Sequence, residues 1–259
     1  MRVGLIGSGN MARALVRGWG EPVLCSDSGA GSGRAAALAA ELGGRAVSNL
    51  EVAQEADLVV LCHKPYQLAA VAREIAGHAK AIVSVLGGVQ TCELAAEYPN
   101  TPLLRLIPNT PVEVRRGVTC YAPAPEPGWP NRPDADLERA VLELFDRLGT
   151  VVTLEERLLE VATAVASLGP AYLAVIAEAQ VDAAVRHGLR ADVASMLVAE
   201  TMAGTAQLLA ARGHDTLAVR REVTSPGGST ARGLDALERG GLRAALSEAM
   251  DRATGETGR

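Results

Sequence analysis

The sequence predicts an α/β protein. A Rossmann-like, doubly wound and mostly parallel sheet comes first, and an all-helical dimerisation domain follows. Three observations predict this. A strand, a glycine-rich turn and a helix open the chain. Short apolar runs then alternate with helical stretches to about residue 153. After residue 154 the period becomes helical almost throughout. The expected domains are a dinucleotide-binding domain over 1–154 and a helical domain over 155–259.

Val3, Gly4, Leu5 and Ile6 read as a buried strand, and Ala14, Leu15 and Val16 as the following helix. Between them Gly7, Ser8, Gly9, Asn10, Met11 and Ala12 spell G-x-G-x-x-A. The first glycine permits a tight turn, the second lets backbone approach a pyrophosphate, and Ala12 lets helix and strand pack closely. Gly7, Gly9, Asn10 and Met11 are therefore expected at the cofactor, on unpaired amides at the positive helix end. A tight turn without a ligand is the alternative for a lone glycine motif. Asp27 favours the ligand, because it stands twenty positions past Gly7, where an acid grips a ribose.

The remaining elements follow in order. A polar, glycine-rich stretch over 26–33 leads to a helix over 34–42, ended by Gly43 and Gly44. Ala46 and Val47 suggest a short strand, 50–55 a short helix, and 57–62 the plainest buried strand. His63, Lys64 and Pro65 end that strand, and a helix of about ten residues follows. Strands are expected at 81–85 and 103–107, with a helix between them running to Glu97. Pro108, Asn109, Thr110 and Pro111 end the second of these strands. Residues 118–122 read as an edge strand, and five prolines in 123–133 as a surface loop. Asp134 caps a helix to Leu148, and Val151 with Val152 forms a last short strand. Apolar strands alternating with helices argue a parallel sheet covered on both faces, with ligands beyond the strand carboxyl ends. The glycine turn, 63–65 and 108–111 all fall there.

One long helix is expected over 155–186, then breaks at 187–189, 213–215, 223–229 and 240–241. Its first part is apolar on most faces and must be buried, so an intertwined homodimer is predicted. The longest uncharged run, 161–177, is interrupted by Gly169 and Pro170. It falls short of the ~20 residues of a membrane span, so no membrane partner is expected. Arg2 leading straight into the first strand reads as no signal peptide.

Composition narrows the function. The chain of 259 residues is 48% hydrophobic and 3% aromatic, enough for a core of Ala, Leu and Val. A formal charge of -5 with no basic run argues against nucleic acid. Cys25, Cys62, Cys92 and Cys120 form no C-x-x-C pair, and reduced thiols in a reducing compartment are expected. His63, His78, His187 and His214 show no metal-ligand spacing, so no metal is expected. His63 at a strand end reads as structural before it reads as a proton donor. Glu178 and Asp182, one turn apart, read as an exposed pair, and no nucleophile elbow is visible.

The second informative stretch is 223–230, where Ser225, Pro226, Gly227, Gly228, Ser229 and Thr230 precede a helix over 231–238. Such a turn leaves amides outward at a positive helix end, a place for a carboxylate. Ser229 or Thr230 would cap the helix or donate to a substrate nitrogen. A plain helix–helix turn is the alternative.

Taken together, these residues resemble the pyrroline-5-carboxylate reductase family over nearly the whole length. The marks are the turn 7–12, Lys64 with Pro65, Arg105 with 108–111, and Gly169 to Tyr172. The run 223–230 and then Leu237, Glu238, Gly240 and Gly241 continue them. The resemblance implies reduction of a cyclic imine to proline with NADPH or NADH, in a cytoplasmic enzyme of proline biosynthesis. It also implies a helical domain that dimerises, often into larger rings. It puts Thr230 at the ring nitrogen as the catalytic hydroxyl. Ser225, Gly227, Gly228, Ser229 and Glu178 join it as substrate-binding residues, and Lys64, Pro65, Asn109 and Ser26 join the cofactor set.

Two departures stand out. Ala166, Ser167 and Leu168 precede Gly169 where the family usually shows S-G-S. Asp27 stands where relatives often carry a small hydroxyl. A carboxylate accepts ribose hydroxyls and repels a 2′-phosphate, which favours NADH, while Ser26, Ser28 or Arg34 would favour NADPH. A non-catalytic dinucleotide-binding paralogue and a reductase of another cyclic imine are the alternatives. A β-hydroxy-acid dehydrogenase would need a lysine in the helical domain, and none is there.

Overall fold

A computed structural model describes residues 1–27, 33–126 and 128–255. The chain divides into two compact units, Met1–Pro170 and Ala171–Arg259.

In the first unit, β1 (Val3–Ile6) leads through α1 (Asn10–Trp19) to β2 (Leu24–Ser26), and α2 (Arg34–Glu41) leads to β3 (Arg45–Ala46). The chain then returns through α3 (Asn49–Glu55) to β4 (Leu58–Leu61). α4 (Leu68–Ile75), β5 (Ile82–Ser84), α5 (Thr91–Glu97) and β6 (Leu103–Pro108) follow. β7 (Gly117–Ala122), α6 (Ala135–Asp146) and β8 (Gly149–Thr153) complete the sheet. The strand order is β3-β2-β1-β4-β5-β6-β7-β8. All neighbours are parallel except β6 with β7. Because the chain leaves β1 one way and comes back on its other side, the switch point lies between β1 and β4. Ligands bind at that crevice in open α/β sheets.

Alternation along the strands divides the core between two faces. Val3, Leu5, Leu58 and Val60 pack with Leu15, Leu38 and Phe145 of α1, α2 and α6. Ile6, Val59, Leu61 and Ile82 pack with Val52, Ile75 and Leu94 of α3, α4 and α5. Continuous apolar runs form strands here because both faces are covered. Asp134 caps α6 as expected, accepting from the Leu137 amide at 2.7 Å.

Two expectations need correction. The stretch at 118–122 is not an edge strand: β7 is almost wholly buried and β8 pairs along its far side. β8 supplies the cover that this buried strand needs on that side. The helix expected over 155–186 is three pieces, a 3₁₀ turn at Glu156–Leu158, α7 (Leu159–Ala166) and α8 (Gly169–Arg186). The Ser167 and Leu168 amides both turn back to the Thr163 carbonyl, at 2.8 and 3.2 Å. Pro170 then has no amide to give the Ala166 carbonyl, and the Asn109 side chain donates to it instead at 2.9 Å. Past residue 154, α7 also packs on the sheet. Leu159 of α7 is buried with Ile107, Cys120 and Ala122 of β6 and β7, so α7 belongs with the sheet.

The second unit holds most of α8, then α9 (Ala191–Ala211), α10 (Thr216–Glu222), α11 (Ser229–Arg239) and α12 (Leu242–Ala253), with breaks where the sequence places them. Among its described residues only Ala194 and Val219 are buried. Leu173, Val175, Met196 and Leu197 are each at least half exposed. By length and composition alone, Glu156–Arg186 and Ala191–Ala211 are apolar enough to cross a membrane. All four cysteines are free. Cys25 and Cys120 are buried, Cys62 is half-buried, and Cys92 is exposed on α5.

Candidate active site

The glycine turn closes over the end of β4. Gly7 has φ +102°, and a Cβ there would lie 2.6 Å from the His63 amide nitrogen. Only glycine fits, for conformation and for space. A Cβ on Gly9 would meet nothing within 4 Å. The space above Gly9 is therefore open, as a pyrophosphate site requires. Gly9 caps α1 without a side-chain bond, and the first bond back is Arg13 N to Gly9 O at 3.0 Å. The amides of Asn10, Met11 and Ala12 thus stand at the positive helix end with no partner among the described residues. The residues present fit a dinucleotide phosphate. Asn10 is exposed there, while Met11 packs its side chain on the core and offers only backbone.

Asp27 and Ser26 end β2 differently. The half-buried Asp27 carboxylate accepts from the Ser8 hydroxyl and from the Ala35 amide of α2 at 3.2 Å. Ser26 is buried, and its hydroxyl donates to Asn49 Oδ1 at 2.6 Å. Asn49 in turn donates to Glu74 at 2.7 Å. Ser26 thus holds its strand end inward rather than offering its hydroxyl to a ligand, although its carbonyl accepts from the Gly7 amide at 3.0 Å. Arg34 is exposed at the start of α2, and Ser28 lies outside the described residues.

At the end of β4, Lys64 and Pro65 are exposed, while His63 is buried. Burial holds the His63 pKa below its ordinary value, outweighing the Lys64 backbone bond that raises it. The neutral ring meets the Lys64 carbonyl through Nδ1 at 2.9 Å, so Nδ1 carries the proton and Nε2 is left buried without a partner. His63 is thereby held neutral with its Nδ1 tied to its own loop. Asn109, also expected at the cofactor, is buried with both ends of its amide engaged. It accepts from the Val118 amide at 2.8 Å and donates to Ala166. It braces the loop after β6 against β7 and α7.

In the second unit, the loop before α11 is closed by Gly228 N donating to Ser225 O at 3.0 Å. Gly227 takes φ +67°, and its carbonyl accepts from Arg232 Nη1 at 2.8 Å. Gly228 is the N-cap and has no capping side chain, so neither Ser229 nor Thr230 caps α11. The Gly228 amide is turned into the loop, whereas those of Gly227, Ser229 and Thr230 have no partner among the described residues. Ser225, Ser229 and Thr230 are exposed. The loop can hold an anion on three amides and place a hydroxyl beside it. Glu178 and Asp182 are both exposed on α8, as the sequence reads them.

Sequence reasoning missed one cluster in the first unit. Glu156 Oε1 accepts from Arg105 Nη1 at 2.6 Å, from Thr91 Oγ1 at 2.6 Å and from Thr91 N at 2.7 Å. Burial alone would raise the Glu156 pKa, but the Thr91 and Arg105 bonds outweigh it and hold the group below the usual glutamate range. This clasp ties the starts of α5 and of the turn before α7 to the middle of β6. No sequence signal links Arg105 to Glu156, since they stand 51 positions apart.

A glycine turn at a sheet's switch point, an acid at the end of the second strand and a trailing helical unit define the class: an NAD(P)-dependent oxidoreductase of the Rossmann type. Residues 156–258 match the family described as pyrroline-5-carboxylate reductase dimerisation, and residues 2–88 match NADP oxidoreductase coenzyme F420-dependent. Pyrroline-5-carboxylate reductase of Thermus thermophilus is 35% identical, with 98% of this chain and 96% of that protein covered. That of Pseudomonas aeruginosa is 33% identical, covering 98% and 94%. The crystal structure of 1-pyrroline-5-carboxylate reductase from Streptococcus pyogenes is similar with TM-score 0.86 at 28% identity, over 99% of this chain and 97% of that one. The chain belongs to the pyrroline-5-carboxylate reductase family.

Proposed function

We propose that the chain reduces 1-pyrroline-5-carboxylate to L-proline with NAD(P)H, as a homodimer in the reducing cytoplasm. The observation that carries this reading is the loop before α11, where three amides without a partner among the described residues and the exposed Thr230 hydroxyl offer donors for an imine's carboxylate and ring nitrogen. Nicotinamide, when bound, would supply the hydride for the imine carbon and leave oxidised, and solvent would supply the proton that the ring nitrogen gains as the double bond becomes single. The chain's residues do the rest. Gly227, Ser229 and Thr230 hold the carboxylate through their amides, with Ser225 and Gly228 shaping the turn. The Thr230 hydroxyl bonds the nitrogen and orients the ring for attack. Glu178 lines the substrate side from α8. Gly7 makes the tight turn that brings Gly9, Asn10 and Met11 to hold the pyrophosphate through backbone. Asp27 holds the ribose, Lys64 and Pro65 line the adenosine side, and Ser26 and Asn109 brace their loops.

The dimer is supported by the uncovered apolar faces of α8 and α9 and by the match to a dimerisation family over 156–258. A second copy, rather than a bilayer, is the cover proposed for these helices. On this reading the domains divide functionally near residue 155, although α7 packs with the sheet. Four free cysteines fit a reducing compartment. Purified protein given reduced cofactor and 1-pyrroline-5-carboxylate tests the activity. Oxidation of the cofactor only when the imine is present, with matching proline, is expected. Cofactor binding without turnover, unrescued by Leu168→Ser, would instead mark a non-catalytic paralogue.

A further inference from the structure

Ser8, between the two glycines of the turn, is 5% exposed and donates its hydroxyl to Asp27 Oδ1. Asp27 receives a second bond from α2, where the Ala35 amide lies 3.2 Å from Oδ1 and 3.3 Å from Oδ2. The carboxylate is thereby fixed from two elements: the turn that faces the pyrophosphate and the positive end of the next helix. Both partners donate to it, so its charged form is the one they stabilise. The charge is felt locally: burial first, then Asp27, push the Cys25 thiol up to about 12.

From this geometry we infer that Ser8 and Asp27 form a selectivity pair that makes the enzyme prefer NADH over NADPH. Ser8 is the positioning residue and Asp27 the group that meets the ribose. The inference rests on the nicotinamide reading of the site and adds to it which nicotinamide is used. An ionised carboxylate accepts hydrogen bonds from the 2′- and 3′-hydroxyls of NADH. A 2′-phosphate has no proton to donate there and brings about two negative charges against the one already present. The exposed Arg34 is the nearby cation that would otherwise favour the phosphate. Asp27, pinned toward the turn, sets the balance against it. Without Ser8 the carboxylate keeps only its α2 partner among these two bonds and is freer to turn from the ribose.

Equilibrium titration following cofactor fluorescence tests this without needing the imine, so it fails separately from the reductase reading. The unmodified protein is expected to bind NADH at least about tenfold more tightly than NADPH. Asp27→Asn should bring the two within about twofold. Ser8→Ala should lower the NADH-to-NADPH ratio about threefold or more. Ser8→Thr, which keeps the hydroxyl, should restore most of the ratio, which a merely structural Ser8 would not do. Equal or tighter NADPH binding by the unmodified protein would overturn the inference, and that result needs no variant to fold. An unchanged ratio in Ser8→Ala would remove Ser8 from the pair and overturn it equally.

Discussion

In the sheet unit, Leu5, Ile6, Leu58 and Leu61 are fully covered, each strand lying between two layers of helix. In the helical unit, Leu173, Val175, Met196 and Leu197 stand half exposed or more, on helices that bury almost nothing. An apolar side chain left wholly in water forgoes about 1.5–3 kcal/mol of burial and a half-exposed one roughly half of that, and the helical unit leaves many. The first unit can fold on its own contacts. The second is half of a core, and the missing half we propose is a second copy of itself.

This contrast can be broken most severely on α8. Val175→Asp puts a charge where the partner should pack. It should dissociate the protein to monomers and lower imine reduction at least about 100-fold, read by light scattering and turnover together. The same substitution leaving a full-strength dimer would show that α8 is covered some other way. Gly7→Ala attacks the other unit. Its Cβ would meet backbone at 2.6 Å in a left-handed conformation, so cofactor affinity should fall about tenfold or more while the assembly keeps its mass. Thr230→Ala should lower turnover about tenfold to 100-fold with cofactor affinity unchanged. Equal loss of both would place Thr230 outside the substrate site.

A subtler effect is expected in acid. The Glu156 pKa is held below its unfolded value of about 4.3. Its contribution to stability is therefore complete above the unfolded value and is lost as pH falls through the lower folded one. Denaturant midpoints of the unmodified protein and Glu156→Gln should differ at neutral pH and converge below about pH 4. A constant difference would mean the clasp acts by shape rather than charge. Leu168→Ser is the mildest change and should alter the imine KM within about threefold without moving cofactor affinity.

The parts legible in the sequence are those set by neighbours along the chain. The glycine turn, the strands from β1 to β6 and the breaks between the later helices are local patterns of period and punctuation. Strand pairing is not local. Nothing in residues 118–122 says that β7 runs antiparallel to β6, or that β8 lies outside it. The division between α7 and α8 was hidden because the apolar pattern continues across Ser167 and Leu168, and Pro170 is tolerated in a first helical turn. The residue that answers Pro170 is Asn109, far back in the chain. The same holds for Ser26, whose partner Asn49 lies across the sheet edge on α3. The Arg105–Glu156 clasp left no pattern at all.

The most direct measurement is sedimentation of the unmodified protein with turnover followed across the same dilution series. Two copies per particle, or a multiple of two, with activity vanishing as the dimer dissociates, is the predicted result. A single chain that stays folded and reduces the imine at full rate would contradict the account.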